Sequence, residues 1–318
     1  MKTSAKVLVR LTAVGLTAAL ALTACGGGAD PASTGSSTGT FAKDSDTLVM
    51  GMVPDEGQAT STYQPLADYV QKVTGKKVEV KQSTNYAALI EASIAGQVDV
   101  ISFSAFTYLQ AKAKGAAITP VGATITEKGT GKPGYYSTAI VPAGSDIKDV
   151  AGFKGKKVCF VSESSTSGYL FPQYMLKKAG IDTKTEITPV MAGSHDVSAQ
   201  KVAKGAECDA GFAQEITVTT TGPAAGLFKA DDLKIVDKSL VPGPPFAIAD
   251  ALPADLKKTL TEKISTVTVK DITDAGIASN PAFDKFFGDG NAPVDDAYYN
   301  DLRDFCRKLP EVKTCAGI

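Results

Sequence analysis

The sequence predicts an α/β protein of two lobes with a ligand cleft between them, and three observations support this prediction. Short apolar strands alternate with amphipathic helices along residues 47–114, which is typical of a parallel or mixed sheet with helices on both faces. The alternation resumes near residue 136 in a second unit. Breaks rich in Pro and Gly at residues 142–144 and 242–245 separate the units, so we expect the second lobe to be an insertion. The predicted lobes are residues 45–141 with 242–318, and residues 142–241.

Hydrophobic periodicity places the elements of the first unit. The first helix has four apolar residues on one face, and Gly75 ends it; these residues are Leu66, Tyr69, Val70 and Val73. The predicted strands are Thr47–Val53, Val78–Lys81 and Val98–Ser102. The predicted helices are Tyr63–Thr74, Tyr86–Ala95 and Phe106–Lys114.

The second unit follows the same pattern and then returns the chain to the first lobe. Its predicted strands are Tyr136–Val141, Lys157–Val161, Ile187–Val190, Ala206–Phe212 and Leu233–Val236. Its predicted helices are Gly168–Ala179 and Asp196–Lys204, and the late helices are Pro253–Val267 and Asp295–Leu309. Two connections between the lobes would act as a hinge on which the lobes close around a ligand.

The N-terminus has the pattern of a secretion signal. Basic residues precede an apolar stretch, Leu11–Leu22, that is short for a membrane span. Its end, Leu22-Thr23-Ala24-Cys25, resembles a bacterial lipobox, which implies a lipoprotein signal peptide at residues 1–24 and lipid attachment to Cys25. Small and hydroxyl residues dominate the following stretch, so we expect a flexible tether over residues 25–44. The predicted location is the outer face of the bacterial cytoplasmic membrane.

Charge and cysteine usage narrow the function classes. Lys and Arg number 33 against 34 Asp and Glu, without a basic cluster, which argues against nucleic-acid binding. Four cysteines remain without Cys25, and an even number in an exported protein suggests two disulfides, although four buried thiols are the alternative. The pairs we favour are Cys159–Cys208 and Cys306–Cys315. A metal site is less favoured because the cysteines lack paired short spacings and His195 is the only histidine.

A run of hydroxyl side chains, Ser164–Gly168, stands between an apolar strand and a helical pattern. The first turn of a helix leaves backbone N–H groups without partners and carries the positive end of the helix dipole. The segment therefore suits a small oxyanion. Ordinary capping by Ser or Thr is the alternative.

Several motifs follow one another in a fixed order along the chain. They are Gly51–Pro54, Asn85–Ile90, Val98–Val100, Gly134–Ser137, Ser165–Tyr169, Gly193–Asp196 and Leu240–Pro244. Together they resemble the solute-binding proteins of phosphonate, phosphite and phosphate ABC transporters. The Ser-Thr-Ser-Gly turn followed by a downstream His is the most specific part of the resemblance. It implies a type II periplasmic-binding-protein fold with the ligand between the lobes.

The resemblance also implies the site residues. Carried over one by one, the candidate ligand-binding residues are Tyr86, Tyr135, Ser165, Thr166, Ser167 and His195. The three hydroxyls would cradle the anion, the imidazole would donate beside them, and the tyrosines would lie in two loops of the first lobe. The alternatives are packing aromatics and a capping His. With an ordinary pKa of about 6.5, the imidazolium would tighten binding as it forms.

One departure from the family pattern bears on the ligand. Relatives that bind aminoalkyl phosphonates place an acidic residue where this chain has Pro244, after Pro242-Gly243. A second carboxylate that contacts the amine falls near Glu215, where a one-residue slip in alignment leaves the assignment open. We therefore expect a smaller anion, namely phosphate, phosphite or methylphosphonate.

The resemblance implies a monomeric, lipid-anchored receptor that captures such an anion and delivers it to an ABC permease, without chemistry and without a cofactor. The alternative is a sensory lipoprotein that presents the ligand to a membrane receptor. A phosphatase-like enzyme ranks last, because no Gly-x-Ser-x-Gly elbow stands between a predicted strand and a predicted helix. The glycine-rich stretch Gly129–Gly134 does not match a nucleotide-binding loop.

Overall fold

Two β-sheets organise the computed structural model, which describes residues 39–53 and 60–318. In spatial order, the first sheet contains β11 (Asn291–Ala292), β4 (Ile118–Thr124), β10 (Pro245–Ala249), β3 (Val100–Ser102), β1 (Thr47–Met52) and β2 (Lys77–Gln82). The second contains β7 (Thr188–Met191), β6 (Lys157–Phe160), β8 (Ala210–Gln214), β5 (Gly134–Pro142) and β9 (Leu233–Pro242). Each sheet has three parallel strands extended by antiparallel ones. The predicted α/β architecture of two lobes is confirmed.

Helices cover the sheets. The first lobe carries α1 (Thr60–Thr74), α2 (Tyr86–Ile94), α3 (Ala105–Ala113), α7 (Ala254–Ile264), α8 (Val269–Asp274), α9 (Pro281–Phe287) and α10 (Asn300–Arg307). The second carries α4 (Phe171–Lys178), α5 (His195–Lys204) and the short α6 (Gly222–Ala224). Strand β1 is buried along its whole length, with Leu48 and Met50 in one hydrophobic cluster and Val49 in another. Successive side chains of a strand point to opposite faces, so both faces of this sheet are covered.

The first connection between the lobes lies earlier than the sequence predicted. Strand β5 pairs antiparallel with β8 and β9, so residues 134–141 belong to the second sheet and not to the first lobe. The break at Pro142–Gly144 is a turn within the second lobe, closed by the N–H of Ser145 donating to the carbonyl of Pro142 at 2.9 Å. A Pro-Gly signal marks a turn wherever it occurs and does not show which sheet the preceding strand joins.

Strands β4 and β10 have no counterpart in the sequence-based prediction. Strand β10 lies between β3 and β4 and runs antiparallel to both. It begins at Pro245, immediately after the second connection, so its proline-rich start gives the sequence pattern of a break. Its burial on both faces also removes the alternation of polar and apolar residues by which a strand is usually detected.

The two connections touch each other. A Cβ atom added at Gly243 would lie 2.6 Å from Cβ of Pro133 and 2.9 Å from the carbonyl oxygen of Thr124, so only glycine fits. Two neighbouring tyrosines form hydrogen bonds to these two connections. The hydroxyl of Tyr298 donates to the carbonyl of Pro133 at 2.7 Å, and that of Tyr299 donates to the carbonyl of Gly243 at 3.1 Å.

The predicted signal peptide, the predicted lipidation site at Cys25 and most of the predicted tether lie outside the described residues. From residue 39, where the described part of the chain begins, the backbone packs on the first lobe. The predicted tether therefore does not extend to residue 44. The N–H of Thr40 donates to the carbonyl of Ala251 at 2.8 Å, and that of Ala42 donates to the buried carboxylate of Asp99 at 2.9 Å. A buried carboxylate requires such donors, which the composition of the segment does not reveal. None of the described helices combines the length and apolar character that a membrane span requires.

The described part of the chain contains two disulfides, between Cys159 and Cys208 and between Cys306 and Cys315. The first joins β6 to the residue two positions before β8, its parallel neighbour, and closes a sequence separation of 49 residues. The second joins Cys306 in α10 to Cys315 and closes a separation of 9 residues. These are the two pairs that the sequence analysis favoured.

Candidate functional site

A cavity of about 40 Å³ lies between the two lobes. On this measure a water molecule needs roughly 10–15 Å³, so the cavity suits a molecule of a few non-hydrogen atoms. Its polar lining consists of Tyr86, Ser102, Ser104, Tyr135, His195 and Gln214, with Thr126 at one side. Its apolar lining consists of Val53, Tyr63, Phe103, Ile216, Pro244 and Phe286. Both lobes contribute to both sets.

The Ser-Thr-Ser turn begins a π-helical turn, Thr166–Leu170, which leads into α4. Ser165 caps it, because its Oγ accepts the N–H of Gly168 at 3.0 Å. The predicted helix N-terminus is therefore present, and π-helical turns of this kind are frequent at functional sites. A Cβ atom at Gly168 would lie 2.2 Å from Cγ2 of Val161, so the turn requires glycine there.

All three hydroxyl residues of the turn are fully buried, and they lie beside the cavity instead of lining it. The Oγ atoms of Ser165 and Ser167 are each 3.5 Å from Nε2 of His195. The hydroxyl of Tyr135 interacts with Thr166 and Ser167. The structure thus brings the sequence-predicted residues of the second lobe into one hydrogen-bonded group.

His195 is the first residue of α5, and its imidazole faces the cavity. Its Nδ1 accepts the backbone N–H of Gln214 at 3.0 Å. Because a backbone N–H can only donate, Nδ1 carries no proton, and the proton of the neutral ring sits on Nε2. The nitrogen that points toward the serine hydroxyls is therefore a donor, as an anion site requires.

Burial lowers the pKa of His195 to about 4, and the nearby carboxylate of Asp196 opposes this shift only in part. The ring is consequently neutral at physiological pH. This corrects the expectation of an ordinary pKa near 6.5 with an imidazolium that tightens binding. Desolvation of the charged ring outweighs its attraction to Asp196.

The depressed pKa of His195 predicts how stability depends on pH. The unfolded chain takes up a proton near pH 6.5 and the folded chain near pH 4, so ligand-free protein should lose stability as pH falls through this interval. We expect His195 to contribute about 3 kcal/mol to that loss. His195→Gln removes the titration and keeps an oxygen that can accept from Gln214. Denaturation at pH 7 and pH 4 should show a smaller drop for this variant, and equal drops would contradict the assignment.

The two candidate tyrosines line the cavity from opposite lobes. Tyr86 is the first residue of α2, whose cap is the side chain of Asn85 accepting the N–H of Ala88 at 2.8 Å. Tyr135 lies on β5 in the second sheet, which corrects the expectation that both tyrosines belong to the first lobe. Burial raises the pKa of Tyr135 to about 12, so its hydroxyl stays protonated and can donate.

The sequence analysis missed polar residues of the lining. Ser102 ends β3 and Ser104 caps α3, with its Oγ accepting the N–H of Thr107 at 3.3 Å. A strand that ends in Ser-Phe-Ser before a helix was a usable signal, because ligand sites of α/β folds lie at the carboxyl ends of strands. Gln214 is the last residue of β8, and its backbone N–H donates to Nδ1 of His195. No sequence pattern indicates this hydrogen bond.

None of the described residues that line the cavity carries a charge at neutral pH. Pro244 contributes an apolar surface to the lining. Glu215 does not line this cavity. It is paired with Lys238 at 3.2 Å beside a neighbouring, larger cavity. The described residues also contain no cluster of three His, Cys, Asp or Glu side chains that could hold a metal ion.

Comparison with known proteins places the chain in a family. Residues 50–296 match the family described as "ABC transporter, phosphonate, periplasmic substrate-binding protein". The chain is 37% identical over 302 residues to the phosphate-import protein PhnD of Mycolicibacterium smegmatis, covering 91% of this chain and 92% of the relative. It is 27% identical over 169 residues to a probable phosphite-binding protein, PhnD1, of Prochlorococcus marinus, covering 50% of this chain and 55% of the relative.

Solved structures with similar folds include two binding proteins. A component of an ABC phosphonate transporter from Pseudomonas aeruginosa has a TM-score of 0.68 at 22% identity, covering 85% of this chain and 88% of that one. PhnD1 of Prochlorococcus marinus in complex with methylphosphonate also has a TM-score of 0.68, at 20% identity, covering 84% and 99%. The fold is that of type II periplasmic binding proteins. The chain therefore belongs to the periplasmic phosphonate substrate-binding proteins of ABC transporters, a family of binding proteins and not of enzymes.

Proposed function

We propose that this protein is a lipid-anchored extracytoplasmic receptor that captures a small phosphorus oxyanion, namely phosphite, phosphate or a small phosphonate, and delivers it to an ABC permease. The observation that carries the proposal is the cavity between the lobes, where Tyr86, Tyr135 and His195 converge beside the buried Ser165–Ser167 turn. The proposed anchor is a lipid on Cys25, supported by the Leu-Thr-Ala-Cys sequence.

The chemistry of the site supports an anionic ligand that binds to neutral donors. Nε2 of His195 and the hydroxyl of Tyr135 keep their protons at neutral pH. Hydrogen bonds from such groups to an ionised oxygen are stronger than neutral ones, so a dianion can be held without a positive side chain. The neutrality of the lining also lowers the attraction for anions in general.

The size and polarity of the cavity favour a small ligand. An aminoalkyl phosphonate needs a carboxylate for its ammonium, and Pro244 stands where that carboxylate would be. The apolar side of the cavity suits a hydrogen or methyl substituent on phosphorus. The names of the relatives support phosphate and phosphite, and the similar structure with methylphosphonate supports a small phosphonate.

Isothermal titration of the chain lacking residues 1–25 tests the proposal. The titrants are phosphate, phosphite, methylphosphonate and aminoethylphosphonate, after denaturation and refolding to remove ligand carried through purification. We expect tight binding of at least one of the first three and much weaker binding of aminoethylphosphonate. Absence of binding by all four anions would refute the proposed ligand class. Tight binding of aminoethylphosphonate alone would refute the expected absence of an ammonium partner.

A further inference from the structure

The first turn of α3, in the first lobe, contacts the serine-rich turn of the second lobe directly. The backbone N–H of Phe106 donates to Oγ1 of Thr166 at 2.8 Å. One residue later, Oγ1 of Thr107 donates to the carbonyl of Ser164 at 2.9 Å. Both bonds join residues about sixty positions apart and cross the boundary between the lobes. They lie next to the proposed anion cradle.

The hydroxyl of Thr107 is fully buried and links this boundary to the cavity. A carbonyl oxygen can only accept a hydrogen bond, so the hydroxyl of Thr107 donates its proton to the carbonyl of Ser164. Its contact with Ser104 at 2.6 Å must then be a hydrogen bond donated by Ser104, which lines the cavity. Ser104, Thr107 and the carbonyl of Ser164 thus form a chain of hydrogen bonds from the cavity wall to the opposite lobe.

The neighbouring bond orients Thr166. The N–H of Phe106 occupies one lone pair of Oγ1 of Thr166. The hydroxyl proton of Thr166 therefore points away from Phe106 and toward the hydroxyl of Tyr135. A donor that is oriented before the ligand binds costs less conformational entropy on binding. The position of the Ser164–Thr166 turn against α3 therefore decides how well this donor is preorganised.

We propose that Thr107 is a positioning residue for anion binding: it holds the Ser164–Thr166 turn of the second lobe against α3 of the first. The cradle is then complete only when the lobes are closed, and the contact slows ligand release. This inference rests on the proposed function, because it assigns a role within the same site. Thr107 does not touch the ligand and acts through Ser164 and Ser104.

Stopped-flow kinetics on Thr107→Val tests the inference, with the anion that binds the unaltered protein most tightly. Valine keeps the shape of threonine and removes the donor at 2.9 Å from the carbonyl of Ser164, which leaves that carbonyl only the longer contact with Oγ of Ser104 at 3.5 Å. We expect the dissociation rate to rise by about ten- to a hundredfold, with the association rate changed by less than about threefold. Thr107→Ser keeps the hydroxyl and should restore slow dissociation.

Thr314→Val is the matched control. Oγ1 of Thr314 donates to the carbonyl of Glu163 at 3.0 Å, so it also crosses between the lobes one residue away, yet it has no bond to the cavity lining. We expect its dissociation rate to stay within about threefold of the unaltered protein. If Thr314→Val accelerates ligand dissociation as much as Thr107→Val does, Thr107 is only one of several equivalent contacts between the lobes. That result would overturn the inference.

A purely structural role predicts a different result. In that case Thr107→Val would lower the melting temperature equally with and without ligand and leave the dissociation rate unchanged, which would also overturn the inference. If Thr107→Val does not fold, Ser104→Gly removes the other hydroxyl of the chain at little cost to the helix cap and should accelerate dissociation by a few-fold. Failure of the unaltered protein to bind any of the four anions would instead refute the proposed function.

Discussion

Thr166→Val is expected to weaken anion binding by about tenfold to about two-thousandfold. Valine matches the shape of threonine but removes the hydroxyl that interacts with Tyr135 and accepts the N–H of Phe106. Thr166 does not line the cavity, so its hydroxyl acts through Tyr135, which does. Loss of that hydrogen bond costs about 0.5–1.5 kcal/mol, and a buried N–H left without a partner costs about 1–3 kcal/mol more. Both groups are fully buried, so water cannot replace the lost partner. Isothermal titration with the tightest ligand measures the change.

Thr166→Ser is the control for this prediction, since it keeps Oγ and both hydrogen bonds and loses only a methyl group. We expect it to bind within about tenfold of the unaltered protein. Binding of Thr166→Val that equals binding of Thr166→Ser would show that the hydroxyl takes no part in the site. The serine turn would then be a helix cap only, a role that Ser165 fills already.

Removal of the disulfide between Cys159 and Cys208 is expected to cause the largest loss of stability. The bond closes a separation of 49 residues, and the chain-entropy model assigns such a loop about 4 kcal/mol of the free energy of unfolding. Both cysteines are buried, so the variant Cys159→Ala with Cys208→Ala also loses packing at the centre of the second sheet. Chemical denaturation of the ligand-free protein measures the difference.

The second disulfide provides a comparison within the same chain. Cys306→Ala with Cys315→Ala opens a separation of 9 residues, for which the same model gives about 2.5 kcal/mol. A reductant should destabilise the unaltered protein by about the sum of the two effects and should leave a variant lacking all four cysteines unchanged. Equal stability of the unaltered protein with and without reductant would show that the disulfides are absent in solution.

Sequence patterns were sufficient for the order of most elements, and they supplied the candidate residues of the site. The helix that begins near Tyr86 and the serine turn at Ser165 follow from capping residues and apolar spacing, which are local signals. The role of His195 followed from resemblance, because a single His at a helix start is otherwise uninformative. Strand β10 escaped detection because its proline start and two-sided burial remove both usual signals of a strand.

Lobe membership illustrates a second limit. Tyr135 stands on a strand whose pattern fits either sheet, and only its antiparallel pairing with β8 and β9 assigns it to the second lobe. Pairing in this strand joins residues 71 to 108 positions apart, for example Ile140 with Gly211 and Gly134 with Pro242. Local β-propensity does not show which distant strand a segment pairs with. The partner is selected by packing of side chains in a shared core.

The sequence by itself determined the α/β class, the pattern of an export signal, the favoured cysteine pairs and the set of candidate site residues, since these depend on composition, spacing and family motifs. The tertiary structure decided how those residues act. The proton on Nε2 of His195 depends on the N–H of Gln214, and the pKa of the ring depends on its burial. The contact of Thr107 with Ser164 depends on the meeting of two lobes. Protonation and donor direction are set by neighbours that are distant along the chain, and only folding brings these neighbours together.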